Sequence, residues 1–285
     1  MPPIPPPEPA LLREAAARAL GEDRGPADDI TSHAFIPADA RASARIFVKE
    51  AAVLAGLVVA ERVFQEEDPA LLVTVEKADG DRLAPGDTVL RVSGPLRSLL
   101  GAERAALNFL QHLSGIATVT ARYVAAAAGT RAAILDTRKT TPGLRHLEKY
   151  AVRCGGGMNH RFGLYDHFLV KDNHLATLAP EALPAAIAEA RRLAPGALVE
   201  FEADTLEQVA RFAALGVDRL LLDNMTTAQM AEAVALVAGR CQLEASGNMT
   251  LERIAAVAAT GVDFISVGAL THSAPAIDFS LEVLP

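Results

Sequence analysis

From residue 130 onward, short apolar runs alternate with longer stretches in which apolar residues recur every third or fourth position. The runs are AAILDTR, DHFLVKD, LVEFEAD, RLLLDN, QLEAS and FISVG, and each closes on a polar turn. Between the later ones lie LPAAIAEARRLAP, TLEQVARFAALG, AQMAEAVALVAG and LERIAAVAATG, whose spacing is helical. From Glu202 to Asp223, Ser246 and Gly268 the interval holds at 21 to 23 residues. Strand and helix alternating at that period predict right-handed βα units on a parallel sheet, closed or nearly closed into a barrel. An open doubly wound sheet is the alternative fold, but no glycine-rich dinucleotide fingerprint opens any of these helices.

The first part of the chain reads differently. Residues 9–21 predict a helix stopped by Gly21, and residues 22–32 a turn in which Asp28 and Asp29 serve as caps or solvated loop acids. Strands are expected at 41–52 and 71–75, with a helix at 55–64 between them. A Pro-Gly-Asp turn then leads into the alternation Val89, Arg91, Ser93. This mixture suits an α/β sandwich. Residues 98–129 are helical, with Leu99, Ala102, Ala106, Leu107, Leu110 and Leu113 on one side and a break expected at Ser114-Gly115. The predicted division is an N-terminal domain at 1–115, a barrel at 116–271, and a tail at 272–285 that packs with the first domain.

Composition narrows the function. The chain is 51% hydrophobic and 22% charged, which excludes disorder. Its proline-rich start is a stiff, extended arm and not a secretory signal. The most apolar run, residues 51–60, is too short to span a bilayer, so no membrane role is expected. Two distant cysteines, Cys154 and Cys241, predict a reduced, cytoplasmic protein with neither zinc nor disulfides.

Charge then locates the chemistry. The chain carries a formal charge of -8, yet residues 136–174 hold seven Lys/Arg and four His against four Asp/Glu. Cations gathered into one segment of an acidic chain predict a local anion site; nucleic acid would need a broader basic face. In a barrel the strand ends converge on one mouth. Arg138, Lys139 and Lys171 sit at such ends, and His160 and Arg161 follow the triple glycine Gly155 to Gly157. Those glycines let backbone approach a ligand or another element closely. So many cations sharing a pocket require a polyanionic ligand. Glu202 and Asp223 end the next two strands and suit a sugar diol, a bridging Mg2+ or a developing positive charge. Glu200 lies on the same face as Glu202, deeper, and is read as structural, pairing a basic residue. His167 and His174 are read as structural too, and Arg145, Lys149 and Arg153 as helix-surface charges. The turns at Ser246-Gly247-Asn248 and Gly268 suit a phosphate.

The motifs ERAALNFLQHLSGIAT, DTRKTTPGLRHLEKYAVRCGGGMNHR, LVKDNH, LLLDN, EASGN and SVGALTHS together resemble the quinolinate phosphoribosyltransferase family. The resemblance implies an α/β fold with an N-terminal sandwich and a C-terminal open (β/α) barrel. It also implies a homodimer with shared active sites, which in some members builds hexamers. The implied reaction joins quinolinate to phosphoribosyl diphosphate, giving nicotinate mononucleotide, pyrophosphate and CO2 in NAD synthesis, with Mg2+ carried by the diphosphate. By resemblance, Arg104 reaches into the partner's site, while Arg138, His160, Arg161 and Lys171 hold the two pyridine carboxylates, with Thr137 beside them. Lys139 would meet both substrates or the leaving group, and Glu202 and Asp223 the ribose hydroxyls and metal-bound diphosphate. Ser246, Gly247, Asn248 and Gly268 would take the 5'-phosphate. Competing readings are a Schiff-base lyase using Lys139 or Lys171, a related phosphoribosyltransferase of other specificity, and a non-catalytic anion binder.

Overall fold

In the computed structural model, which describes residues 4–284, the chain opens with α1 (Pro9–Arg24), α2 (Ile30–Phe35), β1 (Arg41–Val48) and β2 (Ala52–Val53). It continues through α3 (Leu57–Glu67), β3 (Leu72–Val75), β4 (Arg82–Leu83), β5 (Thr88–Pro95) and the long α4 (Leu96–Ala126). Next come β6 (Ala133–Leu135), α5 (Arg145–Cys154), β7 (Phe168–Val170), α6 (Asp172–Leu175) and α7 (Leu183–Leu193). The remaining elements are β8 (Val199–Ala203), α8 (Leu206–Ala214), β9 (Arg219–Asp223), α9 (Thr227–Val237), β10 (Gln242–Ser246), α10 (Leu251–Ala258), β11 (Phe264–Ser266), α11 (Ala269–His272) and β12 (Phe279–Leu284). The proline-rich arm falls partly outside the described residues; its visible part, residues 4–8, is irregular and meets α1 at Pro9.

Two compact units emerge. The first comprises the described parts of 1–121, 141–156 and 273–285; the second comprises 122–140 and 157–272. In the first, an antiparallel sheet has the order β12-β1-β5-β3, and the tail strand β12 pairs with β1 from Ser43↔Leu284 to Val48↔Phe279. Asp29 accepts from the Thr31 and Ser32 N–H groups and caps α2, satisfying donors that the helix itself leaves unpaired. Leu99, Ala102, Ala106, Leu107, Leu110 and Leu113 are all buried, as their spacing on α4 predicts.

The expected break at Ser114-Gly115 does not exist: α4 runs through it for 31 residues. Buried Ser114 accepts from the Ala55 N–H at 3.0 Å and donates to the Ala55 carbonyl at 3.1 Å. A Cβ at Gly115 would overlap the Pro275 carbonyl. These two residues mark close approach by neighbouring backbone, which is compatible with an intact helix.

The segment 141–156 groups with the first unit, whereas the sequence division put it with the barrel. The cause lies in α5. His112 on α4 meets Glu148 at 2.9 Å, the Tyr150 hydroxyl donates to Asp79 at 2.9 Å, and a Cβ at Gly155 would overlap Ala117 and Thr120. The triple glycine therefore brings α5 against α4 at its first member. Lys149 is fully buried on this helix, which corrects its assignment as a surface charge; Arg145 and Arg153 are half-buried. A helix packed on most of its circumference leaves few positions facing solvent.

In the second unit six parallel strands take the order β6-β11-β10-β9-β8-β7. Beyond β6 the run continues through a bridge from Leu135 to Met158. Strand register stacks Glu200 beside Arg219 and Arg219 beside Gln242; one layer further along lie Glu202, Leu221, Glu244 and Phe264. A barrel of this kind usually fills its interior with branched apolar side chains. Here Glu200, Arg219 and Glu244 are buried there instead.

Candidate active site

The barrel unit brings its polar strand ends together. Lys171, at the end of β7, places Nζ 2.5 Å from Glu202 Oε2 on β8. Oxygens of Glu202, Asp204 and Asp223 all lie within 4.8 Å of one another. Asp204, just past β8, was absent from the sequence-based site. Three carboxylates from two adjacent strand ends are hard oxygen donors of the type Mg2+ takes, so the residues fit that ion.

Asn224 adopts the left-handed region at φ 55°, and its amide donates to Asp223 Oδ2 at 2.7 Å. Its N–H donates to the Ser246 carbonyl at 3.0 Å, joining the ends of β9 and β10. Gly247 has φ 92°, and a Cβ there would overlap Asn224. Asn248 is left-handed as well, at φ 48°. Arg253 on α10 donates to the Asn248 carbonyl at 2.8 Å, holding this turn at the helix start. Gly247 and Asn248 are consecutive left-handed residues ahead of α10, a kind of turn suited to phosphate. The sequence places Asn224 at a strand end without giving it a role, and Arg253 escaped the sequence reading.

On the next strand end, Gly268 makes room for Lys139. A Cβ at 268 would sit 3.0 Å from the Lys139 Cδ and 3.2 Å from the His272 Nε2. The Lys139 backbone is fixed from both sides. Its N–H donates to the Thr137 hydroxyl at 3.0 Å, and its carbonyl accepts from the Thr271 hydroxyl at 2.8 Å.

Arg138 and Arg161 are half-buried neighbours. Burial and the Arg138 charge pull the Arg161 pKa below its ordinary value, while Glu200 and Asp166 oppose the shift. Asp166 accepts from the Phe162 and Gly163 N–H groups at 2.7 and 3.0 Å, shaping the loop after Arg161. His160 is buried. Its N–H donates to Asp136 at 2.9 Å, and its Nδ1 accepts from the Arg161 N–H at 2.8 Å.

Behind these residues lies an ionic cluster. His160 Nε2 is 3.1 Å from Glu200 Oε2 and 3.5 Å from Glu244 Oε1, and His167 Nε2 is 2.9 Å from the same Glu200 oxygen. Arg219 pairs with Glu244 at 2.9 Å and lies 4.0 Å over the Phe264 ring. Glu200 thus pairs basic residues, as expected of a deeper acid. Burial opposes its charge, but the hydrogen bond from His160, the close approach of His167 and the Arg219 charge outweigh it and hold the carboxyl at about 2. Burial and the Glu200 charge push Glu244 up to about 7. For His160, burial is outweighed by the Glu200 hydrogen bond and both carboxylate charges, which raise its pKa. His160, His167 and Glu200 also converge closely enough for a metal. However, a His160 Nδ1 that accepts a backbone N–H leaves the proton on Nε2, so that nitrogen has no lone pair to give a cation.

Arg104 is exposed on α4, in the first unit. His174 accepts the Lys171 N–H at 3.0 Å in the turn of α6, a structural bond.

Comparison with known proteins identifies the family. The family described as quinolinate phosphoribosyl transferase, C-terminal domain, matches residues 116–282, and its N-terminal domain matches 29–114. The chain belongs to the quinolinate phosphoribosyltransferase family. Nicotinate-nucleotide pyrophosphorylase [carboxylating] of Mycobacterium leprae is 44% identical over 95% of this chain and 96% of its own length. The chloroplastic relative of the same name from Oryza sativa subsp. japonica is 40% identical over 99% of this chain and 81% of its own. Among solved structures of the family, nicotinate-nucleotide pyrophosphorylase from Francisella tularensis superposes with a TM-score of 0.91 at 37% identity, covering 99% of each chain. NadC from Streptococcus pyogenes gives 0.90 at 46%, covering 98% of this chain and 99% of its own.

Proposed function

We propose that the chain transfers phosphoribose from phosphoribosyl diphosphate to quinolinate with loss of CO2, forming nicotinate mononucleotide in NAD biosynthesis. The observation that carries this reading is the meeting of Lys171 and Glu202 beside Asp204 and Asp223, next to the turn at Gly247. Cations for a dicarboxylate, acids for a ribosyl centre and backbone donors for a phosphate occupy successive strand ends.

The Ser246–Asn248 turn and Gly268 take the 5'-phosphate, with Glu202 and Asp223 against the ribose. Arg138, Arg161 and Lys171 bind the carboxylates, aligning the pyridine nitrogen with C1'. As the bond from C1' to pyrophosphate breaks, positive charge grows at C1' and is stabilised by the acids, while Lys139 meets the departing oxygens. The pyridine nitrogen's lone pair forms the new bond to C1'. The carboxylate beside the resulting cationic nitrogen leaves as CO2, its electron pair stays on the ring carbon, and a proton replaces it. When bound among Glu202, Asp204 and Asp223, Mg2+ would supply charge neutralisation for the diphosphate.

Arg104 serves the site of a second copy in a homodimer. Cytoplasmic location is proposed on the two free thiols, and no helix among the described residues is long and apolar enough to cross a membrane. The test is incubation with quinolinate, phosphoribosyl diphosphate and Mg2+. Equimolar CO2 and nicotinate mononucleotide are expected, with little product from nicotinate; no product from quinolinate would refute the assignment.

A further inference from the structure

We infer that Glu200 and His167 are positioning residues that set the grip of Arg161 on the quinolinate carboxylates, without touching either substrate. The inference rests on the proposed role of Arg161.

Arg161 is held at two points, and both lead to the same buried acid. Its backbone N–H donates to His160 Nδ1 at 2.8 Å, and its guanidinium donates to the His167 carbonyl at 3.2 Å. The two imidazoles stack with centroids 5.1 Å apart and planes 11° from parallel. Both Nε2 atoms then meet one oxygen of Glu200, at 3.1 and 2.9 Å. Because His160 Nδ1 accepts, its Nε2 must donate, and Glu200 fixes that tautomer. With the proton held on Nε2 by Glu200, Nδ1 is the nitrogen left to accept the Arg161 N–H. Protonation at Nδ1 and this backbone bond exclude each other.

Glu200 has a second effect. Arg138 and Arg161 repel each other in the absence of a dianion, and the Glu200 charge attracts Arg161 from within the barrel. The site can therefore keep two cations close before substrate arrives. An acid two residues away, Glu202, faces the ribosyl side. One strand would thus serve both substrates: Glu202 directly, and Glu200 through the histidine pair.

Glu200→Gln retains the shape but offers one acceptor oxygen and no charge. It is expected to raise the KM for quinolinate, and its directly titrated Kd, about ten- to a hundredfold, while the KM for phosphoribosyl diphosphate stays within about twofold. His167→Gln, which retains a donor and the main-chain carbonyl, should show the same selective effect in weaker form. It also keeps the test available if Glu200→Gln does not fold. Equal shifts for both substrates, or a loss of thermal stability with the quinolinate KM unchanged, would overturn the inference. A wild-type chain that ignores quinolinate would instead sink the functional reading, independently of how these variants behave.

Discussion

Lys171 Nζ and Glu202 Oε2 are 2.5 Å apart, across the adjoining ends of β7 and β8. Each neutralises the other, and in the proposed reaction each meets a different substrate. Glu202→Gln should lower kcat by about 10²-fold or more, with a smaller change in the KM for quinolinate. Lys171→Ala should chiefly raise that KM. Steady-state kinetics with each substrate varied in turn separates the two, and an unchanged kcat in Glu202→Gln would remove that acid from the chemistry.

Gly247 combines φ 92° with a position where a Cβ would overlap Asn224. Gly247→Ala is expected to cost about 1–3 kcal/mol of stability and to raise the KM for phosphoribosyl diphosphate more than that for quinolinate. Thermal melts and the pair of KM values check this. A selective change on the quinolinate side would mean that the turn does not hold the phosphate.

Arg104 belongs to the first unit while the cluster of strand ends belongs to the second. If the homodimer shares its sites, Arg104→Ala and Lys139→Ala should each be inactive alone. Mixed under exchange conditions, they should regain up to about a quarter of wild-type activity, the statistical share of intact sites. No recovery in a mixture shown to exchange subunits would confine Arg104 to a role within its own chain.

Glu244 carries a folded pKa of about 7 against an ordinary value of 4.5. A carboxyl raised in the folded state stabilises fully below pH 4.5, and that contribution is lost as pH rises through 7. The Glu200 shift runs the other way, and its window lies below pH 4.5, so the two do not overlap. Glu244→Gln should therefore gain on the wild type between pH 4.5 and 7.5 by on the order of 1–3 kcal/mol. Denaturant midpoints measured across that range test the sign. A difference constant with pH would show that Glu244 titrates normally.

The repeating barrel was legible because strand and helix periods differ and because polar residues mark the strand ends. Glu200 was readable as a deeper acid by alternation from Glu202. The same alternation carried inward, four residues from Asp223 along β9 and two from Ser246 along β10, reaches Arg219 and Glu244, but neither lies at the C-terminal end of its strand, where polar residues stand out from the apolar run. The role of Asn224 escaped because it depends on a left-handed backbone conformation, to which no hydrophobic pattern points. Ser114-Gly115 misled because local helix breakers and close-packing residues look alike in sequence. Which of the two they are depends on Ala55 and Pro275, distant in the chain. Lys149 misled for a related reason: a helix buried on several sides has no single face to read.

The pairing of β12 with β1 spans almost the whole polypeptide, from Ser43 to Leu284. During synthesis the first sheet must wait, with β1 lacking its outer neighbour, until the entire barrel has been made. An exposed strand edge held open for that long invites pairing with other nascent chains. Contacts so distant in sequence also slow the final closure. The barrel can form first, since β7 to β11 pair successively along the chain and β6 waits only for β11, which precedes β12. The last few residues then act as a clasp on the first sheet, and folding yield will depend on them.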